Sequence, residues 1–236
     1  MYSRAMFTLS AVLLTAAAGT ARAELITVRS GQVGGVPGTV GQPDDTVRFL
    51  NNNPPGGPIS AVPFTPADFN GALTGAPASV INPYIGAWTP GISDLDARWI
   101  NFSADSLSGY GTPGSSLYAV PFFVTTAAAT GGNLTIEFAV DDGGGDFNWG
   151  GPNPSFLYVN GTDTGYNGGN YAASTFHSQF VSLSSGWNTI YLYQRDQGVA
   201  VSGLIFSMTI EVVPEPGTLS LLGFGVLALV RRQRQA

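Results

Sequence analysis

The chain has 236 residues, 32 of them glycine and 16 proline, and no cysteine, so its fold rests on an apolar core without a covalent staple. The lack of cysteine also excludes thiol nucleophiles and thiolate metal sites. There is no lysine, and five of nine arginines (Arg4, Arg22, Arg231, Arg232, Arg234) lie in the two terminal segments. Between them, four arginines face fourteen carboxylates, a net charge of −10 that excludes binding to a phosphate backbone.

The N-terminus reads as an export signal. Arg4 supplies a positive start, residues 7–18 an apolar stretch, and Ala21-Arg22-Ala23 a small-residue cleavage site. Residues 1–23 are therefore expected to form a signal helix. It would be handled by a Sec-type export machinery and cut by signal peptidase, leaving Glu24 as the first mature residue. The mature part, residues 24–213, is long enough for one good core.

Residues 24–95 form an irregular lead-in that is expected to add strands to the main domain. Residues 25–28 and 46–50 have strand composition, Gly34-Gly35 and residues 51–58 are loops, and prolines 54, 55 and 58 rule out regular structure there. Thr65 as N-cap and Pro66 in the first helical position predict one short helix, limited by Gly71 and Gly75.

Strand signals strengthen over residues 96–213. Residues 97–100 and 117–125 read as strands, and residues 134–141 alternate with Leu134, Ile136, Phe138 and Val140 on one face. Residues 156–159 run into Asn160-Gly161, a tight-turn pair. Residues 180–183 and 189–193, separated by Ser185-Gly186, read as a hairpin. In the last strand Leu204, Phe206, Met208, Ile210 and Val212 face inward. Some eight strands with no helix between them predict an all-β fold, an antiparallel two-sheet β-sandwich. Trp88, Trp99 and Trp187 read as core or strand residues.

This half of the chain resembles the galactose-binding-domain-like β-sandwich, or jelly roll, common in carbohydrate-binding modules. The resemblance is carried by Ala97-Arg98-Trp99-Ile100, Ser116-Leu117-Tyr118, residues 137–142, residues 157–161 and residues 186–190.

The tail has three parts in order. Pro214-Glu215-Pro216 ends the last strand, residues 217–230 carry no charge, and Arg231, Arg232 and Arg234 follow. Fourteen helical residues rise about 21 Å against a hydrocarbon core of about 30 Å, a short transmembrane helix at most. Positive charge after it marks the cytoplasmic side. Residues 214–236 resemble the PEP-CTERM sorting domain of exported proteins in Gram-negative bacteria. That resemblance implies recognition by an exosortase, with Pro214, Glu215, Pro216, Arg231 and Arg232 as its sorting residues, and only transient residence in the inner membrane.

Residues for catalysis are few. The one histidine, His177, has no nucleophile-elbow pattern to accompany it. The richest loop is residues 141–151, where Asp141, Asp142 and Asp146 stand among glycines; hard oxygen ligands in such a loop suit a structural Ca²⁺, and Asp-Gly runs are equally ordinary turn chemistry. Trp149 in this loop and Tyr166 in the next are expected to stack on sugar rings or to pin their loops by burying aromatic area. The sequence thus describes an exported, non-enzymatic surface or matrix protein with exopolysaccharide as an expected partner. The alternatives are a structural matrix protein without a ligand and a polysaccharide-active enzyme.

Overall fold

The computed structural model describes residues 23–214 except 52–55, 85, 106, 128 and 199. The signal helix with Ala21, the C-terminal helix, Glu215, Pro216, Arg231 and Arg232 lie outside the described residues. Ala23 is exposed, and the first strand starts at Glu24.

The strands are β1 (Glu24–Arg29), β2 (Gln32–Val33), β3 (Val36–Pro37), β4 (Pro43–Asn51), β5 (Pro77–Val80), β6 (Ile100–Asn101) and β7 (Ser116–Val124). They continue with β8 (Ala129–Asp141), β9 (Gly143–Gly144), β10 (Leu157–Val159), β11 (Thr162–Asp163), β12 (Thr175–Val181), β13 (Gly186–Arg195) and β14 (Gly203–Pro214). One antiparallel sheet runs β11-β10-β13-β7-β4-β5-β6-β14-β8-β12, with β1 added beside β14 and β9 beside β13. The short β5 and β6 let the sheet curl, so that β10, β13 and β7 face β14 and β8. The result is a two-layer β-sandwich, with β2 and β3 as a separate small hairpin.

Alternation builds the core. Leu134, Ile136, Phe138 and Val140 of β8 and Leu204, Phe206, Met208, Ile210 and Val212 of β14 meet Tyr118, Val120, Phe122, Ile190, Leu192 and Leu157 of the other layer. Phe138 and Phe156 stack at its centre, with ring centroids 4.3 Å apart.

Residues 24–95 cover both outer faces as well as supplying β1, β4 and β5. Helix α1 (Pro66–Leu73) starts at the Thr65 cap, where Thr65 and Asp68 bond reciprocally, and it buries Phe69 and Ala72 against Tyr158, Tyr191 and Leu117. On the other face Ile81, Trp88, Ile92 and Trp99 close over Ala139 and Ile205. Here the strict in–out alternation of β8 yields. Glu137 points outward but lies under this loop, where its carboxylate accepts the Ser93 amide at 3.0 Å and also the Ser93 hydroxyl. Asp94 ties the same loop to the sheet through Arg29 Nε at 2.6 Å and Ser207 Oγ at 2.6 Å. Those bonds outweigh the cost of burial and hold the Asp94 carboxyl below its ordinary pKa.

One expectation is corrected and another is resolved. Residues 180–193 are not a hairpin: β12 pairs with β8 and β13 with β7, so residues 182–185 cross from one layer to the other. Val181 and Leu183 are pulled into the core at that crossing, which a surface turn would not allow. Of the two readings of Trp187, core or strand, the structure gives the second: it lies in β13 and is 72% exposed. On β13 the inward parity belongs to Ile190 and Leu192, so Trp187 shares the outer face with Tyr191 and Tyr193 and lies beyond the reach of α1.

The contrast is measurable by urea unfolding. Phe138→Ala removes half of the central ring stack and is expected to cost about 3–5 kcal/mol. Trp187→Ala is expected to stay within about 0.5 kcal/mol of the parent.

Candidate functional site: the loop end of the sandwich

Three groups of polar and aromatic residues occupy the end where β8 gives way to β9 and β13 gives way to β14. The first is centred on Asp146. Gly145 has a positive φ of 76°, and a Cβ there would lie 2.1 Å from the Pro154 carbonyl, so only glycine permits the turn that sends Asp146 inward. Asp146 is fully buried. Its Oδ1 accepts the Tyr193 hydroxyl at 2.9 Å and lies 2.9 Å from Arg195 Nε, and its Oδ2 accepts the Asn153 amide at 3.2 Å. Asn153 in turn bonds Phe64 and Val62, which fastens this loop to the chain ahead of α1. A buried carboxylate is tolerated only when paired, and Arg195 supplies the pair. Trp149 donates its amide to the Asp146 carbonyl at 3.1 Å and lies half-exposed over Gly143, where a Cβ would meet its ring at 2.6 Å.

The second group joins Asp141, Asp142 and Asp196. Asp142 Oδ2 accepts the amides of Gln197 at 2.7 Å and Gly198 at 2.9 Å. Asp196 is fully buried; its Oδ1 accepts the Gly198 amide at 2.9 Å, and its Oδ2 has no hydrogen-bond partner. Asp141 closes β8 and is 5% exposed. Burial, followed by repulsion from Asp142 and Asp196, pushes the Asp141 carboxyl up to about 8. Burial and the nearby Asp142 push Asp196 up to about 6. Asp141, Asp142 and Asp146, which suit either a cation or ordinary turns by sequence, are divided between two environments, with Asp146 committed to Arg195. Among the described residues no group of three or more acidic or histidine side chains gathers in a geometry that could hold a metal ion.

The third group forms an open groove of about 440 Å³ lined by Tyr84, Asp105, Ser108, Tyr110, Thr112 and Val201. Its scaffold is a tight hairpin. Asp105 N donates to the Tyr110 carbonyl at 2.6 Å, Gly109 N to the Asp105 carbonyl at 2.8 Å and Thr112 N to the Ser103 carbonyl at 2.9 Å. Asn82 N reaches the Gly109 carbonyl at 2.9 Å, which brings Tyr84 beside Tyr110 with ring centroids 5.3 Å apart and planes at 79°. Behind Tyr84 stand Trp88 and Trp99, themselves stacked at 4.4 Å. Asp105 Oδ1 accepts the amides of Leu107 and Ser108, so its carboxylate is held in place while exposed to solvent.

The aromatic residues singled out from sequence are not brought together with open faces. Tyr166 is turned into the sandwich: its ring stacks on His177 at 3.5 Å and meets Phe138 and Phe156 edge-on. His177 is fixed there by Gln179 at 2.7 Å. Sequence reading missed Tyr84, Tyr110, Asp105 and Asp196. The one local signal was Gly109-Tyr110-Gly111, a tyrosine flanked by glycines in a loop.

A pH dependence follows from the second group. Between the ordinary aspartate value of 3.8 and the raised values, the folded state holds protons that the unfolded state has lost. Stability therefore falls as pH rises, through about 6 for Asp196 and about 8 for Asp141. Asp196→Asn is expected to flatten the fall of unfolding free energy between 3.8 and about 6 by about one proton, as read from urea titrations at stepped pH.

Comparison with known proteins agrees with the reading of the tail. Several solved structures are matched at low similarity. Carbohydrate-Binding Module CBM36 in complex with calcium and xylotriose is 10% identical, with a TM-score of 0.32, covering 57% of this chain and 93% of its own. CBM35 from Paenibacillus barcinonensis is 16% identical, with a TM-score of 0.31, covering 58% and 93%. The PA14 sugar-binding domain from an RTX adhesin is 14% identical, with a TM-score of 0.30, covering 70% and 88%. Likenesses of this degree speak to neither ligand nor activity. No curated protein matches the chain. Residues 212–235 match the PEP-CTERM protein-sorting motif, and the chain is an exported protein that carries this sorting signal at its C-terminus.

Proposed function

We propose that this is a non-enzymatic protein of the cell surface or extracellular matrix. It is delivered by its sorting signal, processed by an exosortase, and binds extracellular polysaccharide through the Tyr84–Tyr110 groove. The observation that carries the reading is the composition of that groove. Two tyrosine rings set nearly at right angles offer one face to the apolar side of a pyranose and one to its edge, beside a fixed, exposed carboxylate and two hydroxyl side chains. Aromatic faces with a few placed acceptors are what a neutral polyhydroxylated ligand requires. Against hydrolysis stands the single carboxylate of the groove, Asp105: the two carboxyls with raised pKa values, Asp141 and Asp196, are 5% and 0% exposed, too deep to act with it on a glycosidic oxygen. His177 is likewise occupied by Tyr166 and Gln179.

Gel retardation of the mature chain by extracted exopolysaccharide tests the binding. Tyr84→Ala and Tyr110→Ala are each expected to weaken retention about tenfold, the equivalent of roughly 1.4 kcal/mol. A loss confined to Trp149→Ala would move the site to the loop over Gly143. Retention by none of the polysaccharides tested would leave a structural matrix role.

Sorting is tested separately by replacing Pro214-Glu215-Pro216 with three alanines. The expected result is protein retained in the envelope with an uncut C-terminal mass, and an intact mass starting at Glu24. Unchanged release and mass would sink the sorting assignment.

A further inference from the structure

The opposite end of the sandwich has its own surface chemistry. Residues there are joined across both layers. Glu24 pairs with Val212, and its carboxylate accepts the amides of Thr125 and Thr126 at 2.9 and 2.8 Å. Ser185 Oγ donates to the Thr126 carbonyl at 2.6 Å, and Ala129 pairs with Pro214. Around this rim stand large apolar side chains turned to solvent. Leu25 is opposite Glu211, Glu211 opposite Asn133 and Asn133 opposite Phe180, one row across three strand spacings, about 14 Å. Leu25 is 68% and Phe180 59% exposed, and the Phe180 ring lies over Gly131, whose partner is Val213. On the outer face of the other layer Trp187 is directly opposite Phe123, with ring centroids 5.4 Å apart, 72% and 49% exposed. The only ionisable groups in these pairings are Glu24 and Glu211. Burial opposes the Glu24 charge, but the Thr125 and Thr126 hydrogen bonds outweigh it and hold its carboxyl below the ordinary value.

This rim is also where the chain departs for its tail. Only Glu215 and Pro216 separate Pro214 from the uncharged run that starts at Gly217, at most about 11 Å of extended chain. While the tail is in the bilayer, this rim is the part of the sandwich held within reach of lipid. Indole and phenyl rings favour the headgroup level of a membrane. With no basic side chain in the row and Glu211 within it, the rim suits choline or ethanolamine headgroups over an anionic surface.

We propose that Trp187, Phe123, Phe180 and Leu25 dock the sandwich on a zwitterionic phospholipid surface for as long as the tail holds the protein there, which directs the Tyr84–Tyr110 end away from the membrane. The proposal rests on the anchoring role of the tail.

The test uses the full chain with phosphatidylcholine vesicles, some with brominated acyl chains, and reads flotation and tryptophan fluorescence separately. Trp187→Phe isolates the Trp187 signal. The expected result is flotation, quenching of Trp187 by brominated lipid, and iodide quenching of Trp187 reduced about threefold on vesicles. Phe180→Ser with Phe123→Ser should restore iodide access while flotation persists, and adding phosphatidylglycerol should weaken the lipid contact. Flotation with Trp187 as open to iodide as in buffer overturns docking and leaves anchoring intact. Protection from iodide already present without vesicles assigns the rim to a second copy or to the tail and overturns docking. Failure to float overturns anchoring, and docking with it.

Discussion

The pairing of β14 with β8 is the constraint on which the molecule depends. β14 also carries β1 on its other edge, so one strand aligns three segments from the start, middle and end of the mature chain. Its inward side chains form half of the core wall, and its outward Ile205 and Ser207 receive the loop that closes over them. With no disulfide available, this wall and its opposite in β7 and β13 supply what holds the layers together.

Charge is handled differently at the loop end. The buried Asp146 is paired with Arg195 and bonded to Tyr193, which fixes the turn through a contact that no apolar side chain could reproduce at that depth. Asp141 and Asp196 have no such ion pair among the described residues, and burial pushes their carboxyls up to about 8 and about 6. An acidic chain with four arginines in its mature part cannot neutralise each buried carboxylate with a partner. It uses one arginine at Asp146, backbone amides at Asp44, and raised carboxyl pKa values at Asp141 and Asp196.

Much of the architecture was legible because alternation survives burial on one face. The inward sets of β8 and β14, the Thr65 cap and the Asn160-Gly161 turn, whose φ values are 51° and 78°, all follow from local pattern. What was not legible depends on partners remote in sequence. The crossing at residues 182–185 looks like a turn until β8 and β7 claim the two flanking strands. Trp187 has the composition of a core residue and the parity of a surface one, and only the reach of α1 decides between them. Asp142 and Asp146 flank the same run of three glycines, yet Arg195 pairs with only one of them. Tyr84 and Tyr110, 26 positions apart, meet because Asn82 bonds the Gly109 carbonyl.

The position of β14 has a mechanical consequence. The strand starts beside the groove, with Val201 in its wall, and ends at Pro214, where the tail begins. A pull between a polysaccharide in the groove and a tail in the bilayer therefore acts along the strand axis. Its hydrogen bonds to β8 and β1 would be loaded side by side, in shear, and none could be opened singly from an end. A strand fixed on both edges and loaded lengthwise resists force far better than its equilibrium stability alone would indicate.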